Sequence, residues 1–208
     1  MSNTWLDDVA LNDTIDPAWG NTVRDRVVHC FDTTATRDAE ITAPENGMMC
    51  FVETGLRLYR HDGTGWIILA EPEQSWSPTW TNITKGTTGL VEAAGYHRSD
   101  GWCDWYASLT FGTGGGVGAL NPALSLPVAM AALHRGACQG TLVDTGTTEH
   151  SAHNEAWAAA ATSFVMLVKN VSGTYETSTS LNTTVPFTFT AGDLIRFSGR
   201  TRMNTPYL

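Results

Sequence analysis

The chain has 208 residues, of which 42% are hydrophobic and only 16% charged, well below the roughly 25% charged content of an average soluble domain. Its formal net charge is -9, and Lys85 and Lys169 are its only lysines. Clustered cations that could displace counterions are therefore missing, and no stretch approaches the roughly 20 apolar residues of a membrane span, which sets aside nucleic acid and membrane insertion.

The opening "MSNTWLDDVALND" is acidic and lacks the apolar run of a signal peptide. The four cysteines, Cys30, Cys50, Cys103 and Cys138, are far apart with no Cys-x-x-Cys pair. That spacing predicts reduced thiols, as in a chain that folds in a cytoplasm.

In chain order, the first expected element is a short N-terminal helix. Asp16-Pro17 supplies an N-cap and a proline at the first helical position. Trp19, Val23, Val27 and Cys30 then form a narrow apolar seam, suited to packing on a neighbouring sheet or on copies of itself. Thr33 or Thr34 caps a second helical turn over Arg37 to Ile41, which Pro44 ends. Pro44 and Gly47 then predict a tight turn into an apolar strand.

Three strands follow: Met48 to Glu53, Leu56 to His61 and Trp66 to Ala70, separated by Thr54-Gly55 and Asp62-Gly63-Thr64-Gly65. This is a small meander that needs cover on its apolar face. Alternation puts Met48, Cys50 and Val52 on the buried face and Met49 and Phe51 on the other, with the seam helix as the expected cover. Residues 71–78, "EPEQSWSP", read as a linker.

From residue 79 onward the pattern is β in style. Expected strands are Leu90 to His97, Trp102 to Phe111, Leu124 to Ala129, Ala137 to Val143, Phe164 to Val168, Phe187 to Phe189 and Leu194 to Gly199. Short strands with turns between them predict a β-sandwich of jelly-roll type. The fold class is thus mainly β. Residues 1–70 form a helix-plus-meander module, 71–78 a linker and 79–208 a sandwich domain.

Few motifs carry chemistry. The run "FGTGGGVGAL" has no Gly-Lys-Ser/Thr and no helix after it, so it reads as a flexible inter-strand loop rather than a phosphate loop. Glu149, His150 and His153 hold a metal only if they share a helical turn and find a further ligand such as Asp144 or Glu155; a polar loop is the alternative. No nucleophile elbow is present. Glu92, Asp100 and Asp104 are candidate carboxylates only if the fold makes them converge. The chain is therefore read as a non-enzyme with no cofactor.

"YHRSDGWCDWY" is the richest segment. On a strand, Trp102, Asp104 and Tyr106 share one face while Cys103, Trp105 and Ala107 share the other. An aromatic face with a carboxylate suits sugar stacking, and core or interface packing is the alternative. Tyr96, Trp102, Trp105 and Tyr106 are the candidate ligand or interface aromatics.

Residues 19–69 resemble a module of tail-fibre and minor tail proteins of tailed bacteriophages. The resemblance rests on Trp19 with Gly20-Asn21, Arg37-Asp38-Ala39, Pro44, Gly47-Met48, Leu58-Tyr59 and Gly65-Trp66. The distal segments "GYHRSDGWCDWYASLTF", "LSLPVAM" and "PFTFTAGDLIRFSGR" are similar to phage fibre or collar head domains, and the last resembles the closing strands of trimeric jelly-roll heads. The resemblance implies a virion structural protein, assembled in the host cytoplasm, homotrimeric, and bound to other virion proteins. Its first module would dock through Trp19, Val23, Val27, Met48, Phe51 and Trp66, and its head would meet a host-surface glycan. The other expectation is a capsid decoration, head-fibre, collar or neck protein with no receptor role.

Overall fold

A computed structural model of the chain describes residues 28–119, 121–131, 137–146, 148–154, 162–171 and 176–204. The fold is mainly β, with a curled antiparallel sheet. Among the described residues no helix is long and apolar enough to cross a membrane.

The first unit is a four-stranded sheet. It comprises β1 (His29–Phe31), β2 (Met49–Val52), β3 (Arg57–His61) and β4 (Trp66–Ala70), with helix α1 (Thr34–Glu40) between β1 and β2. The three expected strands are there in their expected order, and so is the second helical turn. Thr33 is its N-cap, the side-chain oxygen accepting from the Thr36 amide at 3.0 Å, which satisfies one of the helix's open amides.

The added strand is β1, which runs parallel to β2 with Cys30 opposite Phe51. Parallel neighbours need a crossover connection, and α1 provides it. Cys30 was expected on the seam helix; it lies instead on an edge strand, exposed. Edge pairing with β2 satisfies the backbone there, which a marginal helix would have to do alone. The remaining seam residues, Trp19, Val23 and Val27, lie outside the described residues.

The tight turn runs from Glu45 to Met48, closed by the Met48 amide donating to the Glu45 carbonyl at 3.1 Å. Pro44 thus precedes the turn rather than entering it, and Gly47 occupies its third position at φ +90°, where a side chain is strained. Cys50 and Val52 are fully buried with Phe31, Tyr59, Trp66 and Ile68, and Met48 packs against them. Met49 and Phe51 lie half-buried on the opposite face. The cover found over this core is α1, through the buried Arg37, whose guanidinium carbon lies 4.8 Å from the ring centroids of both Tyr59 and Trp66.

The second unit is a ten-stranded sheet. Its strands are β5 (Gln74–Ser75), β6 (Trp80–Thr81), β8 (Val91–Ser99), β9 (Trp102–Thr110), β11 (Ala123–Ser125), β12 (Ala137–Asp144), β13 (Thr148–Asn154), β14 (Ser163–Val171), β15 (Glu176–Ser180) and β16 (Leu194–Arg202). The order is β5-β8-β9-β16-β12-β13-β14-β11-β6, with β15 also on β14. A two-stranded ribbon of β7 (Ile83–Thr84) and β10 (Gly116–Val117) stands beside it. The curl wraps one core, with Cys103, Trp105, Ala107 and Leu109 from β9 meeting Phe197, Cys138, Leu142, Phe164, Met166 and Val168.

Several details differ from the expected strands. Phe187 to Phe189 is not a strand; Phe187 packs at a tilt on Phe189 at 4.4 Å, and Phe189 reaches Phe111 at 5.4 Å, so these side chains plug the core rather than extend a ladder. Its loop is fastened by the buried Asp193, which accepts from the amides of Thr145 (2.9 Å) and Thr190 (2.6 Å). β11 stops at Ser125, two residues before Pro127, which has no amide to donate. The glycine run is not a loose loop. Gly112 donates to Lys85 at 2.9 Å and Gly116–Val117 is β10. A Cβ on Gly112 or Gly115 would lie under 3 Å from backbone of residues 85–87, so two chain segments touch there without side chains between them.

Gly140 has a similar role in the core. It stands opposite Phe197, whose ring would lie 2.5 Å from any added Cβ. Phe197 is itself wedged edge-on against Phe164 at 5.2 Å, so it has nowhere to swing. Gly140→Ala is expected to destabilise the fold by about 1–3 kcal/mol, read as a lowered urea midpoint with an unchanged slope. A midpoint at or above the parent's would show that the ring yields freely.

Cysteine chemistry follows from the same packing. Cys30 is exposed, whereas Cys50, Cys103 and Cys138 are buried. Burial pushes the Cys50 thiol up to about 11, against the opposing pull of Arg37, and pushes Cys103 up to about 12; burial raises Cys138 as well. A thiol reagent at pH 8 should therefore modify one cysteine in the folded protein and all four after unfolding. The unfolded thiols ionise near 9.0 while the folded ones keep their protons to about 11 or 12. Their contribution to stability is complete below pH 9 and is lost as pH rises through that window.

Candidate functional site

Between the two sheets lies a carboxylate clamp. Glu71, whose side chain is fully buried, accepts from Arg57 Nε (3.0 Å), from Arg98 Nε (2.7 Å) and Nη2 (2.9 Å), and from the Arg98 amide (3.0 Å). Burial works against the Arg98 charge, but the hydrogen bonds and field of Glu71 outweigh it and hold the guanidinium above its ordinary value. The Asp100 amide also donates to Ile68 (2.8 Å), and Ser99 Oγ to Leu69 (3.0 Å). The interval 71–78, expected as a linker, is thus bound to both sheets, and β5 within it pairs with β8.

The alternation expected for β9 places Trp102, Asp104 and Tyr106 outward and Cys103, Trp105 and Ala107 inward. Trp105 is 3% exposed and packs on Phe164 at 5.6 Å, so it belongs to the core and not to a ligand surface. Tyr96 is half-buried against that core. Tyr106 is exposed, but its ring covers Gly95 on the neighbouring strand and its hydroxyl donates to Glu73 at 2.8 Å. That hydrogen bond to Glu73, with some burial, raises the phenol above its ordinary value. Trp102 carries the Arg200 guanidinium at 5.1 Å. Asp104 meets His97 at 3.5 Å and Arg200 at 3.7 Å, long contacts on an exposed face and therefore weak. Trp66 and Met48 belong to the small core, and Phe51 to the opposite face of that sheet.

The candidate carboxylates do not converge. Glu92 accepts from Trp80 Nε1 (2.6 Å) and Lys85 Nζ (2.8 Å), while Asp100 pairs with Arg60 at the far turn of the hairpin. Glu92 stands five positions before His97, the partner of Asp104, a separation of roughly 17 Å along the strand.

Glu149, His150 and His153 lie on β13, where a three-residue spacing sends side chains to opposite faces. His150 turns inward to Phe187, at 5.6 Å, and His153 hydrogen-bonds through Nε2 with Ser178 Oγ at 2.7 Å. Among the described residues no group of three or more His, Cys, Asp or Glu is arranged to hold a metal.

The outer face gathers a different set. Ladder register aligns Ser198 with Gln139 and His153 in one row, and Arg196 with Thr141 and Ser151 in the next. With Lys169 on β14 these residues line a depression of about 490 Å³. Among the described residues its lining offers three hydroxyls, an amide, an imidazole and two cations, and no carboxylate. Sequence reading missed it because polar residues at alternate positions look like any solvated sheet face; the one available signal was Lys169, one of only two lysines. Compared with known proteins, the chain matches no family model, no curated protein and no solved structure.

Proposed function

We propose that this chain is a structural protein of a bacteriophage virion, a tail fibre or minor tail protein. Its small sheet and preceding residues attach it to the particle. Its curled sheet, serving as a jelly-roll-like head, binds a host-surface glycan. The observation that carries this reading is the polar depression on the outer face of the large sheet. Hydroxyls and an amide fixed on neighbouring strands match the hydroxyls of a sugar. Copies of the chain in a homotrimer would multiply a weak contact into firm adsorption.

A second reading is a capsid decoration, head-fibre, collar or neck protein without a receptor role. What favours it is the use of the aromatics: Trp105 is in the core, and Trp102 and Tyr106 are engaged by Arg200 and Glu73. Purified protein offered host cells on one side and empty capsids on the other decides between them. Adsorption to cells supports the first reading, capture by capsids alone the second. A stable monomer in sedimentation would overturn the homotrimer.

A further inference from the structure

We infer that the depression on the outer face is a subsite for an anionic saccharide. This rests on the host-glycan reading and names the ligand class. The chain carries 21 Asp and Glu against 12 Lys and Arg, so an ordinary patch of its surface should be acidic. The lining reverses that balance among the described residues: the exposed Arg196 supplies its cationic group, Lys169 stands on the far strand, and no described carboxylate lines it.

Arg196, together with Arg202 on the same strand, differs from the other described arginines of the fold in having no Asp or Glu within ion-pair distance among the described residues. Arg37, Arg57, Arg60, Arg98 and Arg200 each pair with an Asp or Glu. Arg196 stands between Ser108 and Thr141 on its two flanks, neither of which neutralises it. Its exposed guanidinium can therefore receive a ligand's carboxylate or phosphate through two parallel hydrogen bonds.

The register places the two cations on opposite walls. Arg196 pairs with Thr141, Thr141 with Ser151, and the adjacent Ala152 pairs with Val168, beside Lys169. Three strand spacings put the two backbones roughly 14 Å apart, with the Thr141 and Ser151 hydroxyls between them. That arrangement fits an oligosaccharide with acidic groups spaced along it and its hydroxyls against the floor. Glu149, two residues beyond Ser151 on the same strand, marks the acidic end that such a ligand would avoid.

The test is calorimetric titration of the full chain with three probes: a galacturonate hexamer, a glycerol-phosphate oligomer and neutral maltohexaose. At least one acidic probe should bind, at least tenfold more tightly than the neutral one and more weakly as salt rises. R196Q and K169M should each weaken it about tenfold with unfolding midpoints unchanged, while R200Q, outside the depression, should leave it unaltered. A preference for uronate or for phosphate identifies the acidic group. Equal binding of maltohexaose, unaffected by R196Q, overturns the anionic subsite and leaves the glycan reading standing. Cell adsorption with no affinity for any probe overturns the subsite in the same way. Absence of both overturns the two together.

Discussion

Glu71→Ala is expected to destabilise the protein by about 3–5 kcal/mol, the range for removing one partner of a buried ion pair. The reason lies in what stays behind. Arg98, with a side chain only 11% exposed, would keep its charge without its carboxylate, and Arg57 would lose its carboxylate partner at 3.0 Å. Glu71→Gln keeps the volume but not the charge, and one amide oxygen cannot replace two carboxylate oxygens that accept four N–H groups. It should fall between the parent and Glu71→Ala. Urea unfolding gives the magnitudes. Hydrogen exchange at the Asp100 amide, which donates to Ile68 across the junction, should accelerate if the clamp holds the two sheets together. Arg60→Ala is the contrast. Its pair with Asp100 is 43% and 62% exposed, so it should cost no more than about 1 kcal/mol. Equal losses for Arg60→Ala and Glu71→Ala would mean that burial of the clamp adds nothing.

Sequence legibility followed from burial on one face. Where one face of an element is dry and the other wet, alternation or turn chemistry showed it. The meander, the inward Cys103, Trp105 and Ala107, and the Thr33-capped helix all belong to this class. Elements with little apolar content were invisible: β13 reads "TEHSAHN" and β15 "ETSTS". Both are strands because the preceding strands β12 and β14 offer them backbone partners, and backbone pairing by polar residues leaves no apolar periodicity to read. The same reason hid the depression. Its lining comes from β16, β12, β13 and β14, and only register brings Arg196, Gln139 and His153 side by side. "EPEQSWSP" misled in the other direction. Its prolines and acids look like a linker, but the partners that make Glu71 a core residue, Arg57 and Arg98, lie 14 and 27 positions further off.

Arg37 supports the second large prediction, because its charge and its bulk can be separated. The side chain is 1% exposed, lies between the Tyr59 and Trp66 rings, and meets Asp38 at 2.8 Å. Asp38 is 58% exposed, so much of that pair is spent in water, and Nη1 is buried with no partner among the described residues. Arg37→Ala removes both bulk and charge beneath α1 and should cost about 3–5 kcal/mol. Arg37→Lys keeps a cation, but an ammonium is compact and cannot lie flat against two rings, so most of the loss should remain. Arg37→Met fills much of the same space without a charge to desolvate and should recover the larger part. The order expected in urea unfolding is therefore parent, Met, Lys, Ala. A lysine variant more stable than the methionine one would show that the positive charge holds α1 on its sheet. The expected order instead makes Arg37 chiefly a flat, ring-stacked piece of the core.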